Sequence, residues 1–595
     1  MNHRFVFAAL TGALVWCTIP APAQSQPPAW ARDAVWYQIF PERFRNGDPA
    51  NDPTPADMEF PASREWHISP WTSDWYALQP WEKAHDSAFY RNVFDRRYGG
   101  DLQGVLDELD YLKALGVNAI YFNPVFDAYS LHKYDASSYH HIDHTFGPDP
   151  AGDRALMASE TDDPATWHWT SADSLFLHLI REAHRRGIRV IIDGVFNHSG
   201  TRFFAFQDVL EHQRRSRYAD WYDVTHWDDD RTPPNEFAYR GWWGNSDLPE
   251  FREDSSGFVP AVKKYFFAVT KRWMDPNGDG DPSDGIDGWR LDVPNEVSQV
   301  FWRQWRTVVK SVNPQAYIVG EIWDDANAWL KGDMFDAVMN YPFARACVRF
   351  FVDTNDRRLT PTGFDHELEH VRNSCPADAD AVLQNLLDIH DTDRLASMIM
   401  NPNRRFDADN GLRQNPHYTV AAPSADARRI QRLMALFQMT YVGAPMIYYG
   451  DEAGMWGADD PDDRKPMVWP DMTYDDERSH PIPGMTRPDD AVRFDSSLFT
   501  WYRTLVAVRT ASRALSHGAY RTILADDANA VFVFGRTTVR DSAIVVLNNS
   551  DAERTVRIPT TGAWIDALTG TRVHSSGGNA EVTLAARSGA ILRPE

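Results

Sequence analysis

The stretch GIDGWRLDVPNEV, residues 285–297, decides the fold of this chain. Its short apolar run closes on a carboxylate, Asp292. Such a run reads as a buried parallel strand, and acidic groups are costly to bury. In a strand, side chains two apart share a face, so Arg290 and Asp292 point the same way at the strand's end. Two more stretches repeat the pattern. AYIVGEIWDDA (316–326) carries Glu321, and LLDIHDTDRL (386–395) carries Asp391. Each carboxylate has a basic or hydrogen-bonding neighbour: Arg290, Trp323 and His390. One apolar run ending in an acid could be chance; three point to a built acidic site.

Working outward, candidate strands lie at 35–40, 119–123, 189–194, 286–291, 317–320, 336–340, 386–389 and 446–449. Helical patterns separate several of them. Residues 101–115 place Leu102, Val105, Leu106, Leu109 and Leu112 on one face, and 175–186 ends in Arg185-Arg186 before a helix-stopping Gly187. Eight strands in such alternation predict an α/β protein built on a (β/α)₈ barrel at about 33–511. Residues 197–259, rich in Trp, Tyr, Asp and Gly, read as an inserted domain after the third strand that folds over the barrel mouth. From about 512 to 595, short alternating runs such as AVFVFGR and SAIVVLNNS predict an antiparallel β-sandwich.

The 595 residues exceed one ordinary domain. A formal charge of −24 argues against nucleic acid or an anionic membrane as partner and fits a neutral substrate. Aromatic residues make up 13%, with 23 Trp, enough to pack a core and still supply stacking platforms for sugar rings. Residues 1–23 combine Arg4, an apolar core too short to span a membrane, and Ala21-Pro22-Ala23. They read as a cleaved signal peptide, which predicts a periplasmic or secreted protein. Cys347 and Cys375 then remain, and one disulfide between them is permitted in that compartment.

A guanidinium beside Asp292 favours the ionised form and suits it as a nucleophile, although a structural Arg–Asp pair would look the same. Glu321, framed by apolar residues and Trp323, has the setting of a general acid. Barrel active sites lie at the C-terminal ends of the strands, where all three acids fall. One nucleophilic carboxylate and one proton donor about 5–5.5 Å apart form the machinery of a retaining glycosidase.

VIIDGVFNHSG, GWRLDV, VGEIW and IHDTDR, in this order, resemble the four diagnostic motifs of the alpha-amylase superfamily, glycoside hydrolase family 13. The resemblance implies Asp292 as nucleophile, Glu321 as acid/base and Asp391 as transition-state stabiliser, with Asp193, His198, Arg290 and His390 in the same pocket. SLHKYDASSY resembles the segment that lays an aromatic ring under the reacting sugar, with Tyr134 as platform and His132 as a hydroxyl contact. GADDPDDRKPMVWP resembles the segment that grips the next sugar, through Asp460 and Arg464; a surface ion pair is the plain alternative. WYQIFPERFRNGDP, YYGDEAGMWGADDPDDRKPMVW and NSDLPEF look closest to neopullulanases, cyclomaltodextrinases and maltogenic amylases. Those enzymes usually carry an N-terminal dimerisation domain, whereas here the barrel pattern begins near Ala34, which predicts a monomer with an open cleft.

The implied activity is hydrolysis of α-1,4 bonds in starch-derived glucans such as maltodextrins, pullulan and cyclodextrins. A glucanotransferase on the same residues is the first alternative. A non-catalytic carbohydrate-binding relative is the second, though such relatives usually lose the acids retained here. Asn46, Asp48, Asn51, Asp52, Gly99 and Asp101 resemble the group's calcium site, and close-spaced oxygen ligands on a Gly-containing loop suit a hard cation. Asp275, Asn277, Asp279 and Asp281, at alternate positions like the start of an EF-hand loop, form a second candidate for calcium. Ile286 stands where that loop would need its final Glu. Both sites would be structural.

Overall fold

The computed structural model describes residues 26–59, 65–229 and 231–595. The expected signal peptide lies outside them. Eight short strands run in parallel: β1 (Trp36–Ile39), β2 (Ala119–Phe122), β3 (Arg189–Gly194), β4 (Gly288–Leu291), β5 (Tyr317–Gly320), β6 (Ala337–Val338), β7 (Gln384–Asn385) and β8 (Ala444–Tyr448). Their order is β6-β5-β4-β3-β2-β1-β8-β7. A parallel bridge between Met339 and Gln384, with the Asn340 amide donating to the Gln384 carbonyl at 2.8 Å, joins the two ends into a barrel. Every strand residue except Arg189 is buried, which is why these segments read as continuous apolar runs.

Seven strands fall where the sequence places them, and β7 does not. The pairing occupies Gln384–Asn385 instead of 386–389. The Leu386 amide turns back to the Gln384 carbonyl, and the Ile389 amide bonds Thr392 Oγ1 at 3.1 Å, so the chain has left the ladder. His390 and Asp391 therefore sit on a turn beyond the strand. The helix expected at 101–115 is broken into Leu102–Asp107 and Leu109–Leu115, with Asp101 capping the first through the Gly104 amide.

The segment 197–259 holds the helix Phe204–His212 and two hairpins, Val224–His226 with Ala238–Tyr239 and Glu253–Asp254 with Gly257–Phe258. A second excursion, after β1, escaped the sequence reading. Its Trp75, Tyr76, Phe89, Val93 and Tyr98 form a separate apolar cluster with Leu412, Tyr418, Val420 and Ala458 from the loops after β7 and β8.

The C-terminal strands are β9 (Ala519–Asp526), β10 (Val531–Thr537), β11 (Ser542–Asn548), β12 (Arg554–Pro559), β13 (Ala563–Asp566), β14 (Arg572–His574), β15 (Asn579–Leu584) and β16 (Ser588–Pro594). Six form an antiparallel sheet ordered β9-β10-β11-β16-β13-β14, and β12 pairs with β15. Alternation along β10 sends Val531 and Val533 into the sandwich, while Phe532 and Phe534 join the barrel's core. Cys347 and Cys375 are both free thiols. Among the described residues no helix is long and apolar enough to cross a membrane.

Candidate active site

Parallel register places Asp193 of β3 opposite Arg290 of β4, and Leu291 opposite Gly320 of β5. One fully buried guanidinium therefore meets three acids. Arg290 Nη1 donates to Asp193 (2.9 and 2.7 Å) and to Asp292 Oδ1 (2.9 Å), and Nη2 lies 2.9 Å from Glu321 Oε2 as an ion pair. The Val293 amide donates to Glu321 Oε2 at 3.1 Å, and Trp323 Nε1 donates to Oε1 at 3.1 Å, with the Tyr341 hydroxyl at 3.4 Å. Trp323 stacks on Tyr341, with centroids 3.9 Å apart. The sequence frame implied an apolar setting for Glu321; the structure surrounds it with hydrogen-bond donors.

Asp391 and its neighbours close the opposite side. Arg464 Nη2 donates to Asp391 Oδ1 (2.9 Å), Nε to the His390 carbonyl (2.7 Å), and Nη1 pairs with Asp460 Oδ1 (3.0 Å). Arg464 is only 6% exposed, so it is not half of a surface pair. His390 Nε2 meets the Tyr134 hydroxyl at 2.6 Å, and the two rings are parallel within 5°. The Tyr134 hydroxyl also donates to Asp193 Oδ2 (3.1 Å), tying the two halves together. His132 Nδ1 accepts from the Tyr134 amide (3.1 Å) and fixes the turn that presents that ring. His198 is buried on the loop after β3, stacked on Trp242 and set against the backbone of Tyr134.

Burial raises the pKa of Asp292 well above the ordinary aspartate range, helped by Glu321, Asp193 and Asp391 and opposed by Arg290. Arg290 favours the ionised form, as the sequence implies, but desolvation outweighs its pull. Asp193 is pushed up to about 6 by burial against the same pull. Burial and the positive charges of Arg464 and Arg290 hold His390 well below the usual histidine range, so it is neutral. Burial likewise lowers His198 to about 4.

Sequence reasoning missed the residues that orient this set. Gln38 Nε2 lies 2.9 Å from His390 Nδ1 and donates to Asn123 Oδ1, whose Nδ2 donates to the Tyr134 hydroxyl. Tyr121 donates to Asp193 Oδ2 at 2.8 Å. A glutamine inside the strand WYQI was the available signal. Asp407 carried none. It lies on a loop at φ 55° and is pushed up to about 7 by burial and by Asp391 and Asp393. It lines, with Trp323, Arg345 and Phe406, a cleft of about 820 Å³ beside the acids.

The first expected calcium loop is drawn together. Asp101 accepts the Gly47, Asp48 and Gly104 amides, and Asn46 Nδ2 donates to Asp52 Oδ1 at 2.6 Å. Asn46 Oδ1 and Asn51 Oδ1 are buried oxygens with no hydrogen-bond partner. Gly99, at φ 75°, leaves the space that a Cβ would fill at 2.0 Å from Asp52 Oδ1. In the second loop Asn277, Asp279 and Asp281 accept amides two residues on, and Asp275 Oδ2 accepts the Gly280 amide. Asp275 Oδ1 is left buried with no hydrogen-bond partner. Two further clusters, His140–His141–Glu160 and Asp127–Asp143–His144, bring potential ligands together, but Glu160 bonds both histidines, His144 bonds Asp127, and Asp143 pairs with Lys133.

Residues 38–161 and 170–518 match the model of the alpha amylase catalytic domain. The chain is 39% identical over 569 residues to neopullulanase 2 of Thermoactinomyces vulgaris, covering 95% of this chain and 78% of that protein. It is 37% identical to a cyclomaltodextrinase of a Bacillus species, covering 89% of this chain and 75% of that one. The solved structure of a cyclic alpha-maltosyl-(1→6)-maltose hydrolase from Arthrobacter globiformis superposes with a TM-score of 0.68 at 28% identity, covering 96% of this chain and 100% of that chain. The chain belongs to the alpha-amylase family of glycoside hydrolases.

Proposed function

We propose that the protein hydrolyses α-1,4-glucosidic bonds in starch-derived glucans with retention of configuration. The observation that carries this reading is the single guanidinium of Arg290, hydrogen-bonded to Asp193 and Asp292 and ion-paired with Glu321, which brings Asp292 and Glu321 from adjacent strands to one site. Asp292 attacks the anomeric carbon while Glu321 gives its proton to the leaving oxygen; the glycosidic C–O bond breaks as the new C–O bond to Asp292 forms. Glu321 then takes a proton from the water that displaces Asp292. Asp391, held by Arg464, supports positive charge on the ring, and Tyr134 offers its face to the sugar. The low pKa of His390 keeps it a neutral hydrogen-bonding partner for a hydroxyl.

Relatives named neopullulanase and cyclomaltodextrinase support α-glucans as the substrate class. Side-by-side digestion of starch, pullulan, cyclodextrins and maltodextrins tests the reading, with the anomer of the fresh product read by NMR. Retained α-anomer and panose from pullulan are expected. No cleavage of any α-glucan, or the β-anomer, would overturn it.

Calcium fits the loop of Asn46, Asp48, Asn51, Asp52, Gly99 and Asp101, because buried oxygens there lack partners and a Gly-built space lies beside them. These six would hold it, and bound calcium would tie the excursion after β1 to the helix that Asp101 caps. In the second loop Asp275 Oδ1 likewise lacks a partner, so Asp275, Asn277, Asp279 and Asp281 would hold a second calcium there, although each also accepts a backbone amide. The leader-like residues at the N-terminus support export to the periplasm or medium.

A further inference from the structure

Trp243 is 82% exposed, far more than any other described aromatic side chain. A large apolar ring left in water is informative where the backbone works to keep it there. Trp243 has φ 49°, a left-handed conformation that side chains other than glycine rarely adopt. The loop around it is tightly held. The Trp242 amide donates to the Leu248 carbonyl (2.9 Å), the Glu250 amide to the Arg240 carbonyl (3.1 Å), and the Tyr239 hydroxyl to the Ser246 carbonyl (2.6 Å). Arg240 pairs with Glu250 at 2.6 Å. Gly241 allows a backbone approach in which a Cβ would lie 1.9 Å from the Asn245 carbonyl oxygen. The exposure of Trp243 is therefore built.

The ring also continues a row. His198, on the loop that leaves β3 beyond Asp193, lies 5.5 Å from Trp242, and Trp242 lies 5.3 Å from Trp243, with interplanar angles of 25° and 26°. Trp242 touches Trp243 only in an offset contact, and at 82% exposure the indole's faces are largely open. Such a face matches the apolar C–H face of a glucosyl ring, and a protein of net charge −24 suits a neutral ligand.

We propose that Trp243 is a sugar-stacking platform at the rim of the barrel mouth, which takes a glucosyl unit of a polymeric α-glucan outside the catalytic pocket. This deepens the hydrolase reading above and rests on it for the nature of the chain that is held. A long chain held at the acids extends outward along this row to the platform, and short oligosaccharides serve as the comparison.

The test compares Trp243→Ala and Trp243→Phe with the native protein. Trp243→Ala is expected to lower kcat/KM on soluble starch about three- to tenfold, through KM, and to leave maltotriose unchanged. Trp243→Phe is expected to restore most of the loss. Equal losses on starch and maltotriose, or no loss on starch, would overturn the proposal. Affinity electrophoresis in amylopectin gels, in an Asp292→Asn background, reads the platform without turnover. Lost retardation in Trp243→Ala supports it, and unchanged retardation refutes it. Failure of the hydrolase reading would show separately, as no turnover by the native enzyme.

Discussion

Two arginines hold the catalytic mouth, and they are built differently. Arg290 sits within the barrel ladder, its partners Asp193 and Glu321 lying on or just past neighbouring strands, so register alone brings the charges together. Arg464 comes from the long loop after β8 and meets Asp391 on a turn that has left the β7 ladder. The first arrangement is fixed by backbone pairing; the second depends on loops held by side chains. The strand-built clamp should fail abruptly when altered, and the loop-built clamp should yield by degrees.

The largest expected effect is that of Asp292→Asn. On the proposed mechanism the kcat should fall about 10⁴-fold or more, because the covalent step is lost. Thermal unfolding should show equal or higher stability, since a buried and repelled carboxyl is removed; a clear fall in Tm would mean that Arg290 needs this acid for folding. Next come the paired variants Arg290→Lys and Arg464→Lys. A lysine cannot bridge three acids, so Arg290→Lys should cost about 10³-fold in kcat. Arg464→Lys should cost about tenfold to 10²-fold. Equal losses would erase the distinction between the two clamps.

The pH dependence gives a third check. On the proposed mechanism Asp292 must be ionised to attack, and its pKa is raised, so the acid limb of kcat/KM should lie above the ordinary aspartate value near ~4. Stability runs the other way. Carboxyls raised in the folded state, such as Asp193 near 6, contribute stability that is present below the unfolded pKa and lost as pH rises through the folded one. Asp193→Asn should therefore flatten the fall in Tm between about pH 4 and 7. The smallest effect concerns calcium. Burial pushes Asp52 up to about 6, so the calcium proposed for its loop should bind more weakly as pH falls through that value. Titration calorimetry at pH 5 and 7.5 reads the affinity, and Tm with and without chelator reads its structural role.

How far the sequence spoke follows the same division. Gly288–Leu291 and Tyr317–Gly320 announce themselves because a strand buried on both faces has few residue types open to it, and an acid at its end stands out. The pairing of Arg464 with Asp391 bridges residues 73 positions apart through a turn and a loop, and no periodicity marks either. Gln38 was visible as a polar residue in an apolar strand, yet its partner His390 could not be named without the fold. The excursion after β1 hid for another reason: its short helices and Trp-rich turns lack any period, and its core is completed by residues near 412–420 and 458.

The sheet that begins at β9 is apolar on both faces, with Phe532 and Phe534 meeting Phe364 and Phe437 of the barrel. It is thus shared masonry between two rooms, and neither can be moved alone. Shuffling this module between related enzymes at residue 512 would have to carry matched aromatic surfaces with it, so in the evolution of such chains the two parts are expected to travel as one inheritance.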